Sequence, residues 1–191
     1  YTFNWLSGVA RVRSAERDTT PVARNRSFNY GTPDGYNFFM NLGPVANVDK
    51  QYFKYQVPTW TEYMEHGDYD KYWQEQNVAQ YMDKVLHPIL NVGGWFDAED
   101  FYGPLSIYYS IEKKNPTNKS VLVVGPWRHG GWNGVDGGDA LGDIRFGSKT
   151  GFFFQQEIQF PFFLYHLKGK GQLDLPEAYV FETGRNEWRK Y

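Results

Sequence analysis

No cysteine occurs in the 191 residues. Disulfides, thiolate metal sites and a cysteine nucleophile are therefore excluded, while cytosol and periplasm both remain open as compartments. No sign of charge dominates either. Twenty Lys and Arg stand against 22 Asp and Glu, for a net charge of −2, which argues against a general nucleic-acid binder, since that needs clustered cations. The apolar runs fall short of the roughly 18 residues a membrane-spanning helix requires. The N-terminal stretch YTFNWLSGVARVRS has no initiator Met and no basic-then-apolar signal pattern, and it reads as the interior of a longer protein. What is abundant is aromatic: 19% of the residues, among them 15 Tyr and 7 Trp, side chains with an apolar body and a polar tip that suit clefts as well as cores.

The organisation changes along the chain. Residues 1–31 predict one short helix and then a polar loop whose arginines form a solvated surface. Residues 32–87 are helical and aromatic. TPDGYNFFMNLG opens on turn residues and closes at Gly43–Pro44. VPTWTEYMEHG places Pro58 in a first helical turn, and DYDKYWQEQNVAQYMDKV offers acids at a helix start. At residue 88 the pattern becomes strand, helix, strand. PILNVGGW and SVLVVGPW are short buried runs, and FYGPLSIYYSIEKK between them is an amphipathic helix. That order predicts a βαβ unit and a parallel sheet, with its chemistry at the C-terminal strand ends. GSKTGFFFQQEIQFPFFLYHLKGKG predicts a long helix capped by Ser148 or Thr150, kinked at Pro161 and closed by Gly169. LPEAYVFETGRNEWRKY predicts a strand and a turn that open a new β layer. The expected division is a mainly helical region at 1–87, the C-terminal part of an α/β domain at 88–171 and the start of a β domain at 172–191.

Both strand ends carry chemistry. The first delivers Asp97, Glu99 and Asp100 within four positions, and the second delivers His129 between glycines and tryptophans in GPWRHGGW. Adjacent parallel strands end on one side, so Asp97 and His129 are expected at one edge within hydrogen-bond reach. An Asp that orients a His is two-thirds of a Ser-His-Asp triad. The order acid-then-His also matches α/β-hydrolases, in which a Ser on a Gly-x-Ser-x-Gly elbow comes first. Ser7, Ser14, Ser27, Ser106, Ser110, Ser120 and Ser148 lie in no such elbow, so the nucleophile is expected upstream of Tyr1 or on a separate chain. Three crowded carboxylates are expected to raise one another's pKa. Blander roles stand beside these. Asp100 can cap a helix, Glu99 can sit at its positive end, and Asp97 can close a turn. His129 can be an ordinary loop histidine, as His66, His87 and His166 are read to be. GVDGGDALGD (134–143) faintly suggests calcium, but it lacks the Asp/Asn ladder and final Glu of an EF-hand loop and is read as a flexible loop. No metal and no cofactor are called for.

On GGWFDAEDFYG and GPWRHGGW the chain resembles the cocaine-esterase and X-Pro dipeptidyl-peptidase family of serine hydrolases, and within it most nearly the α-amino acid ester hydrolases and glutaryl-cephalosporin-acylase-like proteins. NYGTPDGYNFFMNLGP resembles the family's cap, RFGSKTGFFFQQEIQFPFFLYHLKGKG its last catalytic-domain helix and YVFETGRNEWRKY the start of its jelly roll. The resemblance implies an α/β-hydrolase domain with an inserted helical cap and a C-terminal jelly-roll domain. It places Asp97 on the triad acid and His129 on the triad His. It also places Glu99 and Asp100 on two members of an acidic cluster that holds a substrate α-ammonium, turned toward the substrate while Asp97 faces the imidazole. The third cluster acid, the nucleophile and the oxyanion-hole Tyr would lie upstream, so these residues alone would be inactive. The cap's Tyr, Trp and Phe would wall the acyl side chain. Expected partners are a small ester, an amide or a short peptide, an N-terminal segment or chain that supplies the Ser, and further copies in a homo-oligomer, with neither nucleic acid nor membrane. Export to the periplasm or outside is implied by resemblance alone. Rival readings are an acylase or peptidase of the same fold with other acyl specificity, and a non-catalytic carbohydrate-binding module suggested by the aromatic surplus.

Overall fold

A computed structural model describes residues 2–9 and 28–191. The expected loop and arginine run at 10–27 lie outside the described residues. The chain divides into two compact units, Tyr1–Gln76 and Asn77–Tyr191.

The first unit is helical. Helices α1 (Thr2–Val9), α2 (Gly35–Leu42), α3 (Pro58–Glu65) and α4 (Lys71–Gln76) are joined by a π-helical turn at Asp49–Phe53. Asp34 caps α2 by accepting from the Asn37 amide at 3.1 Å, and α2 stops at Gly43, whose φ of 71° ends the helical path. Pro58 occupies the first turn of α3, where no N–H is needed. The core is aromatic. Phe3 and Leu6 from α1 pack with Phe38, Leu42, Val48, Phe53, Val57 and Trp60, and Phe3 stacks on Phe53 with centroids 5.2 Å apart.

The second unit is a mixed α/β layer structure. Strands β1 (Ile89–Gly94) and β2 (Ser120–Gly125) are parallel in the register Ile89↔Ser120 to Gly94↔Gly125, with helix α5 (Tyr102–Lys114) between them in sequence. A two-residue ribbon, β3 (Ala140–Leu141) and β4 (Ile144–Arg145), follows. Then come α6 (Thr150–Phe153), a π-helical stretch at Phe154–Gln159, α7 (Phe160–Lys168), and strands β5 (Ala178–Glu182) and β6 (Glu187–Lys190). The main sheet runs β1-β2-β5-β6. Every residue of β2 is buried, as expected of a strand covered on both faces. Val121 and Val123 pack with Trp127, Phe154, Ile158 and Tyr179. Leu122 and Val124 pack on the opposite face with Tyr108, beside Phe101 and Leu105.

Three expectations need correction. Residues 172–191 do not open a separate layer: β5 joins β2 in parallel, Leu122↔Ala178 to Val124↔Val180, and β6 joins β5 antiparallel. β2 has a hydrogen-bonding edge to fill, and the turn at 183–186 returns the chain along the same sheet. Residues 77–87 belong with the α/β unit, because Asn115 and Asn118 hold them through the Met82 and Val85 carbonyls at 2.6 and 2.7 Å. The long helix runs unbroken from Thr150 to Lys168, but it is not α-helical throughout. Pro161 has no N–H to give its preceding turn, and the ladder widens just before it, with the Phe160 amide donating to the Gln155 carbonyl. Neither Ser148 nor Thr150 caps the helix by its side chain. Gly169 does close it, at φ 61°.

Candidate active site at the strand tips

The parallel register carries β1 and β2 to a common end, and the chain beyond that end is knitted across. The Trp95 amide donates to the Gly125 carbonyl at 2.9 Å and the Phe96 amide to the Trp127 carbonyl at 3.1 Å. Two glycines permit the approach: a Cβ at Gly94 would collide with the Trp127 carbonyl, and one at Gly125 with the Trp127 indole. The Trp95 indole reaches the Phe181 carbonyl at 2.8 Å, tying the first tip to β5.

Asp97 lies in this knit, buried, with a side chain only 2% exposed. One oxygen accepts from the Glu99 and Asp100 amides at 2.9 and 3.0 Å. The other meets His129 Nδ1 at 3.0 Å. The turn-closing role and the His-facing role are thus both filled, one by each oxygen. Burial pushes the Asp97 pKa up, but the two amides and the imidazole together outweigh it and hold the carboxyl below its ordinary value. The expectation that crowding would raise it is corrected: the turn points amide donors, rather than the neighbouring carboxylates, at the buried oxygen.

His129 is about half exposed, at 47%. Its hydrogen bond to Asp97 raises its pKa against some desolvation, and the charges of Asp97, Glu99 and Asp100 add to the rise. Glu99 Oε2 stands 3.9 Å from Nε2 and Asp100 Oδ2 stands 3.6 Å from Nδ1. Both acids therefore stand beside the imidazole as well as Asp97. Asp100 is not a helix cap; the residue before α5 is Phe101, with no side-chain cap.

The other histidines lie elsewhere. His66 pairs with Asp70 and stacks on Tyr72 in the helical unit. The His87 carbonyl accepts from Asn118, and His166 sits in the last turn of α7. Ser120 begins β2, at the end away from His129, and its hydroxyl accepts from Asn91 at 3.0 Å. Among the described residues, no group of three or more His, Asp or Glu is arranged to hold a metal ion, and no helix is long and apolar enough to cross a membrane.

Sequence reasoning gave Trp127 no role of its own and read Thr150 only as a candidate helix cap. The Trp127 indole donates to the buried Thr150 hydroxyl at 2.9 Å, which donates to the Gly138 carbonyl at 2.6 Å. The position of Trp127 two residues before His129 was the available signal.

A mostly parallel sheet with an Asp–His pair on neighbouring strand tips is consistent with an α/β-hydrolase-like fold. Residues 6–131 match the X-Pro dipeptidyl-peptidase (S15) family, and the chain belongs to that family. It is 28% identical over 130 residues to a cocaine esterase from Rhodococcus sp. (strain MB1 Bresler), a stretch that is 66% of this chain and 21% of the esterase. It is also similar to the crystal structure of an aminopeptidase from the marine sediment archaeon Thaumarchaeota archaeon, with a TM-score of 0.78 and 31% identity, over 86% of this chain and 27% of that one. The chain thus spans about a quarter of the length of these relatives.

Proposed function

We propose that these residues form the acid–base half of a serine hydrolase that cleaves or transfers acyl groups of esters or amides, with α-amino acyl donors preferred. The observation that carries the reading is the pairing of buried Asp97 with half-exposed His129 through Nδ1. In this mechanism His129 Nε2 takes the proton of a serine hydroxyl as the oxygen attacks the acyl carbon, then returns it to the leaving oxygen or nitrogen. Asp97 holds the proton on Nδ1 and stabilises the imidazolium. The serine and the oxyanion donors come from a segment outside these 191 residues, because no serine here lies in a nucleophile elbow. The helical unit is the cap. An exported homo-oligomer is part of the same proposal.

Glu99 and Asp100 supply the specificity. Beside the imidazole, with side chains 30% and 67% exposed, they form an anionic rim that a substrate ammonium would neutralise. An aminopeptidase, as one similar structure is described, acts on substrates that carry such a group. A glutaryl carboxylate would be repelled, which ranks that acyl class lower.

Fluorophosphonate labelling of the intact protein tests the class, and is expected to mark a serine outside residues 1–191. Binding to polysaccharide without any labelling would favour the carbohydrate-binding alternative. In the same protein, E99Q/D100N is expected to raise KM for amino esters roughly 10- to 100-fold, as loss of charged hydrogen bonds worth about 1.5–3 kcal/mol implies. Esters lacking the amine should be unaffected. Equal losses on both substrates would remove the ammonium role.

A further inference from the structure

His129 is held on one side by Asp97, but something must hold the backbone that presents it. The segment that follows β2 bends back on itself. Gly130 takes φ 69°, a short 3-10 turn covers Gly131–Asn133, and Gly137 and Gly138 take φ 79° and 69°. Backbone so rich in left-handed glycines has little stiffness of its own. Gln155 Nε2 donates to the Trp132 carbonyl in its middle at 2.7 Å, and its two ends, Trp127 and Gly137–Gly138, are joined by a single side chain. Thr150 is fully buried. Its hydroxyl accepts from the Trp127 indole and donates to the Gly138 carbonyl, so both of its hydrogen-bonding roles are used on this segment. The Gly151 amide adds a bond to the Gly137 carbonyl at 2.8 Å. The fit is close: a Cβ at Gly138 would stand 3.1 Å from Thr150 Oγ1 and 3.3 Å from Trp127 Nε1. The Trp127 carbonyl meanwhile accepts from Phe96, one residue before Asp97.

We infer that Thr150 is a positioning residue for His129, clamping the loop 127–138 through Trp127 so that the imidazole stays on Asp97. The inference rests on the reading of His129 as the base only for its consequence in turnover; the clamp itself is a statement about geometry. Valine matches threonine in shape but leaves the buried indole N–H of Trp127 without an acceptor and the part-buried Gly138 carbonyl without its donor. The loop then relaxes and the Nδ1–Oδ2 contact lengthens. Serine keeps the hydroxyl and loses only a methyl group.

The charges that face His129 are Asp97, Glu99 and Asp100, all on the segment after β1, and changes at 150 or 127 leave them in place. The imidazole of His129 in the intact protein can therefore be titrated by NMR in wild type, T150V, T150S and W127F. T150V and W127F are each expected to lower its pKa by about half a unit or more toward the ordinary histidine range, while T150S follows wild type. If T150V does not fold, W127F carries the test. A titration in T150V or W127F that overlays wild type overturns the inference, and so does a T150S shift equal to that of T150V, since packing rather than the hydroxyl would then be responsible. In the intact protein T150V is expected to lower kcat roughly 10- to 100-fold with KM little changed. The titration needs no turnover, so the clamp can fail while the hydrolase reading stands, and the reverse.

Discussion

Asp97 divides its two oxygens between the turn and the imidazole, and that division sets how the site answers to pH. A general base must be neutral to accept a proton. The pKa of His129 lies above the ordinary histidine value, chiefly through its bond to Asp97. The acid limb of kcat/KM in the intact protein should therefore lie above the usual histidine range, with activity lost as pH falls through it. D97N should move that limb down, and coincident limbs in the two proteins would contradict the pairing. Stability follows the same two groups with opposite signs. The contribution of Asp97 is present above the ordinary carboxylate pKa and is lost as pH falls through its lowered value. The contribution of His129 is full below the ordinary histidine pKa and is lost as pH rises through its raised one. Between those values both act to hold the strand tips together.

At the scale of the elements, the site depends on how closely two loops can approach. Gly94 and Gly125 end β1 and β2 in register, and the absence of side chains there lets the Trp127 backbone and ring settle against the tips. G94A is expected to drive Trp127 back, cost about 1–3 kcal/mol of stability, and part His129 from Asp97. Urea unfolding reads the first effect and the His129 titration the second; an unchanged titration would mean that the tips do not set the pair. The strand–helix–strand order was readable because two short apolar runs bounded by Pro and Gly flank an amphipathic stretch. The aromatic helix at Gly35–Leu42 was readable from the turn residues before it and the Gly43–Pro44 stop. The π-helical turns were not, since the widening before Pro161 depends on which carbonyl the Phe160 amide finds, and no residue pattern announces that. The Thr150 hydroxyl was misread as a cap because a cap is local, whereas its true partners lie 23 and 12 positions away.

Across the whole molecule, the sheet carries the site, and its last strands are structural members of it. β2 is buried on both faces and needs β5 on its free edge. A chain ending at Leu175 would expose that edge and the core residues Val123 and Phe154 beside it. It is expected to lose the cooperative unfolding transition of residues 77–191 and to aggregate; a retained transition would show that β5 and β6 are dispensable. The pairing of β5 with β2 was not legible for a related reason. A short alternating strand looks the same in sequence whether it begins a new sheet or completes an old one, and only the unfilled edge of β2 decides. The Asp97–His129 pairing was legible because parallel strands must end together, but the approach of Glu99 and Asp100 to the ring depends on the turn that Asp97 itself closes. The most direct test of the central claim is turnover of an amino ester by the intact, serine-bearing protein, compared with its H129A and D97N variants. The account predicts that kcat falls by about 1,000-fold or more in H129A, with a large loss also in D97N and folding preserved in both. Near-normal turnover in a folded H129A protein would contradict it.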